Sequence, residues 1–220
     1  MICNKRLRSI IDEINNAHTL ADIGCDHGKV SVMCLLEKRA QHVIACDISA
    51  PSLQKAEKLA KKYNLTNIDF RCGDGMDVIK DNEVDTLLIA GMGGYEIIKI
   101  LSRKKSGINQ YVLCAHNNVL KLRQFLVENC IKIVKDYVVE SENHFYNIIV
   151  AKDGNQELSD KELLLGQDSF ENSDYYNFLL YLKDKNQRIL DRKIDDKRKS
   201  EVLKNLSIIE KELNEGSLHN

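Results

Sequence analysis

Apolar and polar positions along this chain follow two periods. Within residues 5–15, Leu7, Ile10, Ile11 and Ile14 recur at helical spacing with Lys5, Arg6 and Arg8 turned elsewhere, which predicts a short amphipathic helix. Short β-like runs then alternate with helical stretches. The strands fall at 19–23, 42–46, 67–71, 84–90 and 110–115, and the helices at 29–38, from about Pro51 to Tyr63, at 94–102 and at 119–130. Ser49 is placed to cap the helix beginning near Pro51, because proline is tolerated in a first helical turn. The run at 84–90 reads as a strand buried on both faces. Two last strands, 131–139 and 144–151, are joined by four polar residues and read as a hairpin. The alternation predicts an α/β fold with a mostly parallel, doubly wound, Rossmann-like sheet, to which the hairpin adds an antiparallel strand.

The character changes at about residue 154. Gly154-Asn155-Gln156 is a turn, and no strand pattern follows it. From Ser173 to Leu213 the chain is helical and rich in charge. Val202, Leu206, Ile209 and Leu213 step by four, three and four as an a/d seam, and Leu179, Leu182, Ile189 and Leu190 offer a partner stripe. The chain therefore divides into an α/β domain, 1–154, and a C-terminal helical unit, 155–220, read as a projecting coiled-coil hairpin. A hairpin lying flat on the sheet domain is the alternative.

Composition narrows the function classes. Among 220 residues, 32 Lys and Arg face 33 Asp and Glu, so any attraction to nucleic acid must come from local patches. No apolar run approaches the roughly 20 residues that cross a bilayer, and the N-terminus has no apolar stretch of signal-peptide length. These features imply a cytoplasmic protein. The seven cysteines lack C-x-x-C spacing and sit mostly in apolar runs, as buried small hydrophobes in a reducing compartment, neither disulfides nor metal ligands.

Open α/β sheets bind ligands outside the carboxyl ends of their strands, and four loops converge there. The first, Asp22-Ile23-Gly24-Cys25-Asp26-His27-Gly28, has glycines for a tight turn and for close approach of the next helix. Asp26 stands where a dinucleotide fold usually has its middle glycine. A carboxylate there suits a cation, such as a sulfonium, better than a pyrophosphate. The second places Asp47 at the end of strand two, where an acid bonds the hydroxyls of a ribose. The third is Gly73-Asp74-Gly75-Met76, in which Asp74 is suited to an adenine amine and Met76 to the ring face. The fourth, Ala90-Gly91-Met92-Gly93-Gly94, has more glycine than a connection needs. Each loop alone is also readable as an ordinary turn.

Their order and spacing together form a pattern. Residues 5 to about 170 resemble the bacterial tRNA adenine-22 N1-methyltransferase family, through K-R-L near the start, A-D-I-G-x-D-H at 21–27, G-D-G at 73–75, I-A-G-M-G-G at 89–94 and L-L-L-G-Q at 163–167. The resemblance implies a class I methyltransferase domain with a C-terminal helical coiled coil, S-adenosylmethionine as cofactor and tRNA as substrate. It implies cofactor contacts from Asp22, Gly24, Asp26, His27, Asp47, Ile48, Gly73, Asp74, Gly75, Ala90, Gly91 and Met92. After the fifth strand the family pattern leads to Gln-Pro-Asn, whereas this chain reads Cys114-Ala115-His116-Asn117-Asn118 and keeps only the Asn at 117.

Adenine N1 is a neutral nucleophile at pH 7 and needs no general base, so alignment and exclusion of water carry the reaction. Asp22, Met92 and Asn117 are the candidates nearest the chemistry. For the RNA, residues 183–204 hold nine Lys or Arg against five Asp or Glu. Arg188, Arg192, Lys197 and Arg198 are expected to contact it, with Arg6 and Arg8 of the N-terminal cluster and Gly93, Gly94 and Tyr95 of the fourth loop. The expected protein is a monomer that needs neither membrane nor metal. Two other readings stay open: a methyltransferase for another RNA, a protein or a small molecule, and a non-catalytic helical interaction module.

Overall fold

The computed structural model describes residues 3–217. Helix α1 (Lys5–Glu13) is capped by Asn4, whose side chain accepts the Leu7 N–H, and it buries Ile10 and Ile11. There follow β1 (Ala17–Ile23), α2 (Lys29–Leu36), β2 (Ala40–Asp47), α3 (Ala50–Lys62) and β3 (Ile68–Cys72). As predicted, Ser49 caps α3 by accepting the Ser52 N–H, with Pro51 in the first turn. A 3-10 turn at Gly75–Val78 leads to β4 (Thr86–Met92), α4 (Gly94–Leu101), β5 (Gln110–Ala115) and α5 (Val119–Glu128). A long hairpin of β6 (Ile131–Ser141) and β7 (His144–Asp153) closes this half. Every predicted strand and helix of this half is present, with its ends moved by a few residues.

The strands lie in the order β3-β2-β1-β4-β5-β7-β6, parallel except for β7. Winding reverses between β1 and β4, which leaves a crevice at their carboxyl ends. The two-sided burial read from 84–90 is real. Leu88 joins Leu20, Val43 and Val112 on one face, and Leu87 and Ile89 join Ile44 and Leu113 on the other. Side chains alternate across a pleated strand, so a strand covered on both faces must be apolar throughout.

After β7 comes a short helix that the periodicity did not predict, α6 (Asp160–Leu165), and then the antiparallel pair α7 (Ser173–Leu190) and α8 (Asp196–Ser217). The seam is formed: Val202 and Ile209 are fully buried and Leu206 nearly so. Tyr175, Phe178 and Leu179 of α7 and Ile209 of α8 share a third core with Val138 of β6 and Leu165 of α6. The hairpin is thus seated flat at its base, while residues 195–201 beyond the turn are all exposed. Each of the two predicted arrangements describes one end of it.

One buried ion pair fastens the arm. Arg123 of α5 and Asp136 of β6 have side chains 1% exposed and meet through Nε–Oδ2 at 2.6 Å and Nη2–Oδ1 at 3.0 Å. Arg123 Nη1 also donates to the carbonyls of Leu163 and Leu164 at the end of α6, and Gln167 N–H donates to the Asp136 carbonyl. Gly166 between them has φ +87, and a Cβ there would lie 2.7 Å from Arg123 Nη2. The L-L-L-G-Q stretch is therefore a clasp: its carbonyls satisfy the guanidinium, and its glycine alone lets the chain pass over the pair. Among the described residues, no helix is long and apolar enough to cross a membrane.

Candidate active site

The site is built by loops tied to one another through their backbones. Gly24 takes φ +74, a conformation that favours glycine, and the end of the Met92 side chain lies over it, so the first and fourth loops meet here. The N–H groups of Gly24 and Cys25 both donate to the Cys46 carbonyl. Asp47 then joins three loops. Its Oδ2 accepts the Asp26 N–H at 3.0 Å, its Oδ1 accepts the Ser49 N–H at 2.8 Å, and its carbonyl accepts the Gly73 N–H at 3.0 Å. On the other side, Glu96 Oε2 accepts the Gly93 N–H at 2.8 Å and Gly94 N–H donates to the Asn117 carbonyl. His116 N–H donates to the Met92 carbonyl, which ties the end of β5 to the fourth loop.

These loops enclose a cleft of about 520 Å³, lined by Gly24, Asp47, Ile48, Gly73, Asp74 and Gly75, by Ala90, Gly91 and Met92, and by Glu96, Lys99 and Ile100 of α4. A second cavity of similar volume lies across Gly24, Ala90 and Gly91 and holds Asp22, Asp26 and His27, with Arg6 and Glu142 at its edge. An open groove of about 610 Å³ between α7 and α8, lined by residues such as Leu203 and Leu206, shares no residue with these loops.

Asp22 is 4% exposed and accepts a hydrogen bond from Ser31 Oγ at 2.5 Å. Burial pushes its carboxyl up to about 6, partly offset by the Ser31 hydroxyl. Burial also pushes the Cys46 and Cys114 thiols up to about 12 and Cys25 higher still, so these cysteines remain thiols. Among the described residues none of the seven forms a disulfide; Cys72 and Cys130 are exposed, in contrast to the buried placement read from their neighbours.

Nine of the predicted cofactor residues line the cleft, and Asp22, Asp26 and His27 line the adjoining cavity. Asn117 lies beside the fourth loop, its Oδ1 against Gly93, and borders a different cavity. His27 stands 3.0 Å from Lys55 Nζ and is half-buried at the edge of the first loop. Met76 corrects an expectation. It is fully buried in the core and does not line the cleft, whose apolar wall is supplied by Ile48 and Ile100. Arg103, which the sequence did not single out, reaches Asp74 at 3.2 Å and Asp77 at 2.7 Å.

The N-terminal basic cluster is dispersed. Lys5 is paired with Asp174, and Arg8 with Glu37 and Asp12, which leaves Arg6 at the cavity edge. On the hairpin, Arg188 pairs with Asp184 and Arg198 with Glu201. Arg192 and Lys197 are exposed, with no ion pair among the described residues. Tyr95 is 58% exposed at the start of α4, next to Gly93 and Gly94. Glu96 and Lys99 were missed. The first had a signal, an acid three residues after the helix-capping position.

Comparison with known proteins agrees with this geometry. Residues 3–149 match the methyltransferase-domain family. The chain is 30% identical over 158 residues to the tRNA (adenine(22)-N(1))-methyltransferase of Bacillus subtilis, a match spanning 70% of this chain and 66% of that enzyme. It is 31% identical to a Mycoplasma pneumoniae protein assigned provisionally to tRNA methylation, over 72% of this chain and 79% of that one. Among solved structures, M. capricolum TrmK in complex with S-adenosyl-homocysteine superposes with a TM-score of 0.86 and 25% identity, covering 97% of this chain and 99% of the other.

Proposed function

The chain belongs to the tRNA (adenine-22 N1)-methyltransferase family, and we propose that it transfers a methyl group from S-adenosylmethionine to N1 of an adenine, at position 22, in tRNA. The observation that carries the reading is the convergence of four strand-end loops on one cleft at the reversal of the sheet. The residues there fit the cofactor. Asp47 retains acceptor capacity for two ribose hydroxyls beside its two backbone bonds, since a carboxylate offers about four lone-pair sites. Ile48, 74% exposed, and Ile100 offer apolar walls to a purine ring, and Asp74 an acceptor for its amine. Asp22 and Asp26, across Gly24, suit the ammonium and the positive sulfur. Gly24, Gly73, Gly75, Ala90, Gly91 and Met92 supply close-approaching walls, and His27 lies at the rim.

When bound, the cofactor supplies an electrophilic methyl group. The protein's share is to orient and to exclude water. Met92 and the Gly91–Gly94 loop align the base, and Asn117 holds its edge. No side chain has to take a proton before attack, because N1 attacks as a neutral lone pair. The product base is cationic, and the carboxylate of Asp22 steadies that charge. In folded RNA this N1 lies on the pairing edge, so the nucleotide must be exposed to react.

We assign RNA contacts to Arg6, Tyr95, Gly93, Gly94, Arg192 and Lys197, and to Arg8, Arg188 and Arg198 on exchange of their surface ion pairs for phosphate. We divide the chain into a catalytic unit, 1–154, and an RNA-holding coiled-coil unit, 155–220, and take it to act as a cytoplasmic monomer without metal. The test is transfer of labelled methyl to tRNA, with the modified nucleotide located by mass spectrometry. Label at N1 of adenine 22 is the expected result. Label on protein, or on another nucleotide, would replace this reading.

A further inference from the structure

Two smaller cavities continue from the cavity that holds Asp22 toward the hairpin. The first, about 360 Å³, is bounded by Arg6, His116, Asn143, His144, Tyr146 and Tyr181. The second, about 240 Å³, lies beyond Phe145 and Tyr181 and extends to Asn117, Lys185 and Arg198. Arg6 also borders the cavity that contains Asp22, so the three run on from one another.

Their lining is unusual for this chain. Neither contains an Asp or Glu, although acids slightly outnumber bases in the whole sequence. Rings are gathered instead: Phe145 lies 5.3 Å from Tyr181 and 5.6 Å from Phe178, and His144 lies 6.4 Å from Tyr146. Arg6 stands 4.8 Å over the Tyr146 ring and Lys185 5.8 Å over the Tyr181 ring. Neither cation has an ion pair among the described residues, whereas Lys5, Arg8, Arg188 and Arg198 all do. Asn147 opens on the second cavity, 5% exposed, with no well-formed hydrogen bond at Nδ2.

We propose that this trench is a stacking site for unpaired RNA bases that neighbour the target adenine, with Tyr146 and Tyr181 as its platforms. The proposal rests on the tRNA reading above and names where the rest of the substrate goes. A base has a π-face for the rings, its phosphate meets the unpaired cations, and an acid-free wall avoids repelling the backbone. The amides of Asn117, Asn143 and Asn147 face base edges. His116 and Asn117 are consecutive, one on the platform and one against the Gly93 loop, so a stacked base is a close neighbour of the base presented to the cleft. His116 stands where the family pattern leads to proline, and this chain thereby adds a ring of its own.

The test uses the full-length protein and tRNA carrying 2-aminopurine on either side of the methylated adenine. Stacking quenches its fluorescence. Wild type and Tyr181→Phe are expected to quench it. Tyr181→Ala and Tyr146→Ala are expected to lose the quench and to raise KM for tRNA about 10- to 100-fold, with S-adenosylhomocysteine affinity unchanged. Alanine variants with wild-type quench and KM overturn the platform while tRNA methylation stands. A wild type that methylates no tRNA overturns the functional reading itself. Should the tyrosine variants unfold, Lys185→Glu, at an exposed position, must still raise KM for tRNA, and an unchanged KM overturns the proposal.

Discussion

Ser31 Oγ donates to Asp22 Oδ2 at 2.5 Å in a buried pair that joins the end of β1 to the first turns of α2. The hydroxyl favours the carboxylate, but burial outweighs it and holds the carboxyl near 6, against an ordinary 3.8. The folded state therefore binds a proton that the unfolded state releases over that range, and stability declines as pH rises from about 4 to 6. The shift corresponds to about 3 kcal/mol. Asp22→Asn is expected to flatten that slope and raise stability at pH 7. Urea unfolding of both proteins from pH 4.5 to 7.5 checks this, and identical slopes would refute it. Cofactor affinity should also weaken as pH falls through about 6, where the anion that attracts the ammonium is protonated.

Asp47→Ala should weaken S-adenosylhomocysteine by about 1.5–3 kcal/mol, the usual range for hydrogen bonds to a charged acceptor. The same change frees the Asp26 and Ser49 N–H groups, so a modest fall in melting temperature should accompany the loss of affinity read by calorimetry. Unchanged affinity would remove the ribose assignment.

Arg123→Ala leaves Asp136 buried without its counter-ion and should destabilise the protein by about 3–5 kcal/mol. Replacing both residues by leucine should cost less than the single change, because no charge is then stranded. Denaturant midpoints of the three proteins decide it, and a double variant worse than Arg123→Ala would mean that the stranded Asp136 charge is not what makes the single change costly.

Charge reversal at Arg192 and Lys197, both exposed beyond the seated base of the hairpin, should weaken tRNA binding and lower its salt dependence, since fewer phosphate contacts release fewer counterions. Cofactor affinity should not move. Equal affinities and equal salt slopes for wild type and variant would make the arm structural.

The α/β half was legible because strand periodicity, capping and glycine loops are local signals. Asp47 and Gly24 could be located from loop order alone. What escaped was decided by distant partners. Arg8 reads as a free cation until Glu37, 29 residues on, is folded against it. Arg123 and Asp136 look like ordinary charges on a helix face and a strand until both are buried together. Helix α6 is too short for periodicity to register, although Ser159 and Glu162 form the capping box that marks its start. Met76 shows the opposite error: its place in a ligand loop suggested contact, but the 3-10 turn rotates it into the core.

The clasp at Arg123 has a consequence for how substrates are told apart. Helix α5 begins two residues after Asn117, and the same helix anchors the arm through the carbonyls of Leu163 and Leu164. The base of the arm is therefore held at a set distance from the cleft, like the hinge of a calliper. Two modest attachments at a set separation multiply in effect only for a partner whose own parts lie that far apart. On the RNA-holding role proposed for the arm, an RNA with the right nucleotide but the wrong span would engage one jaw only.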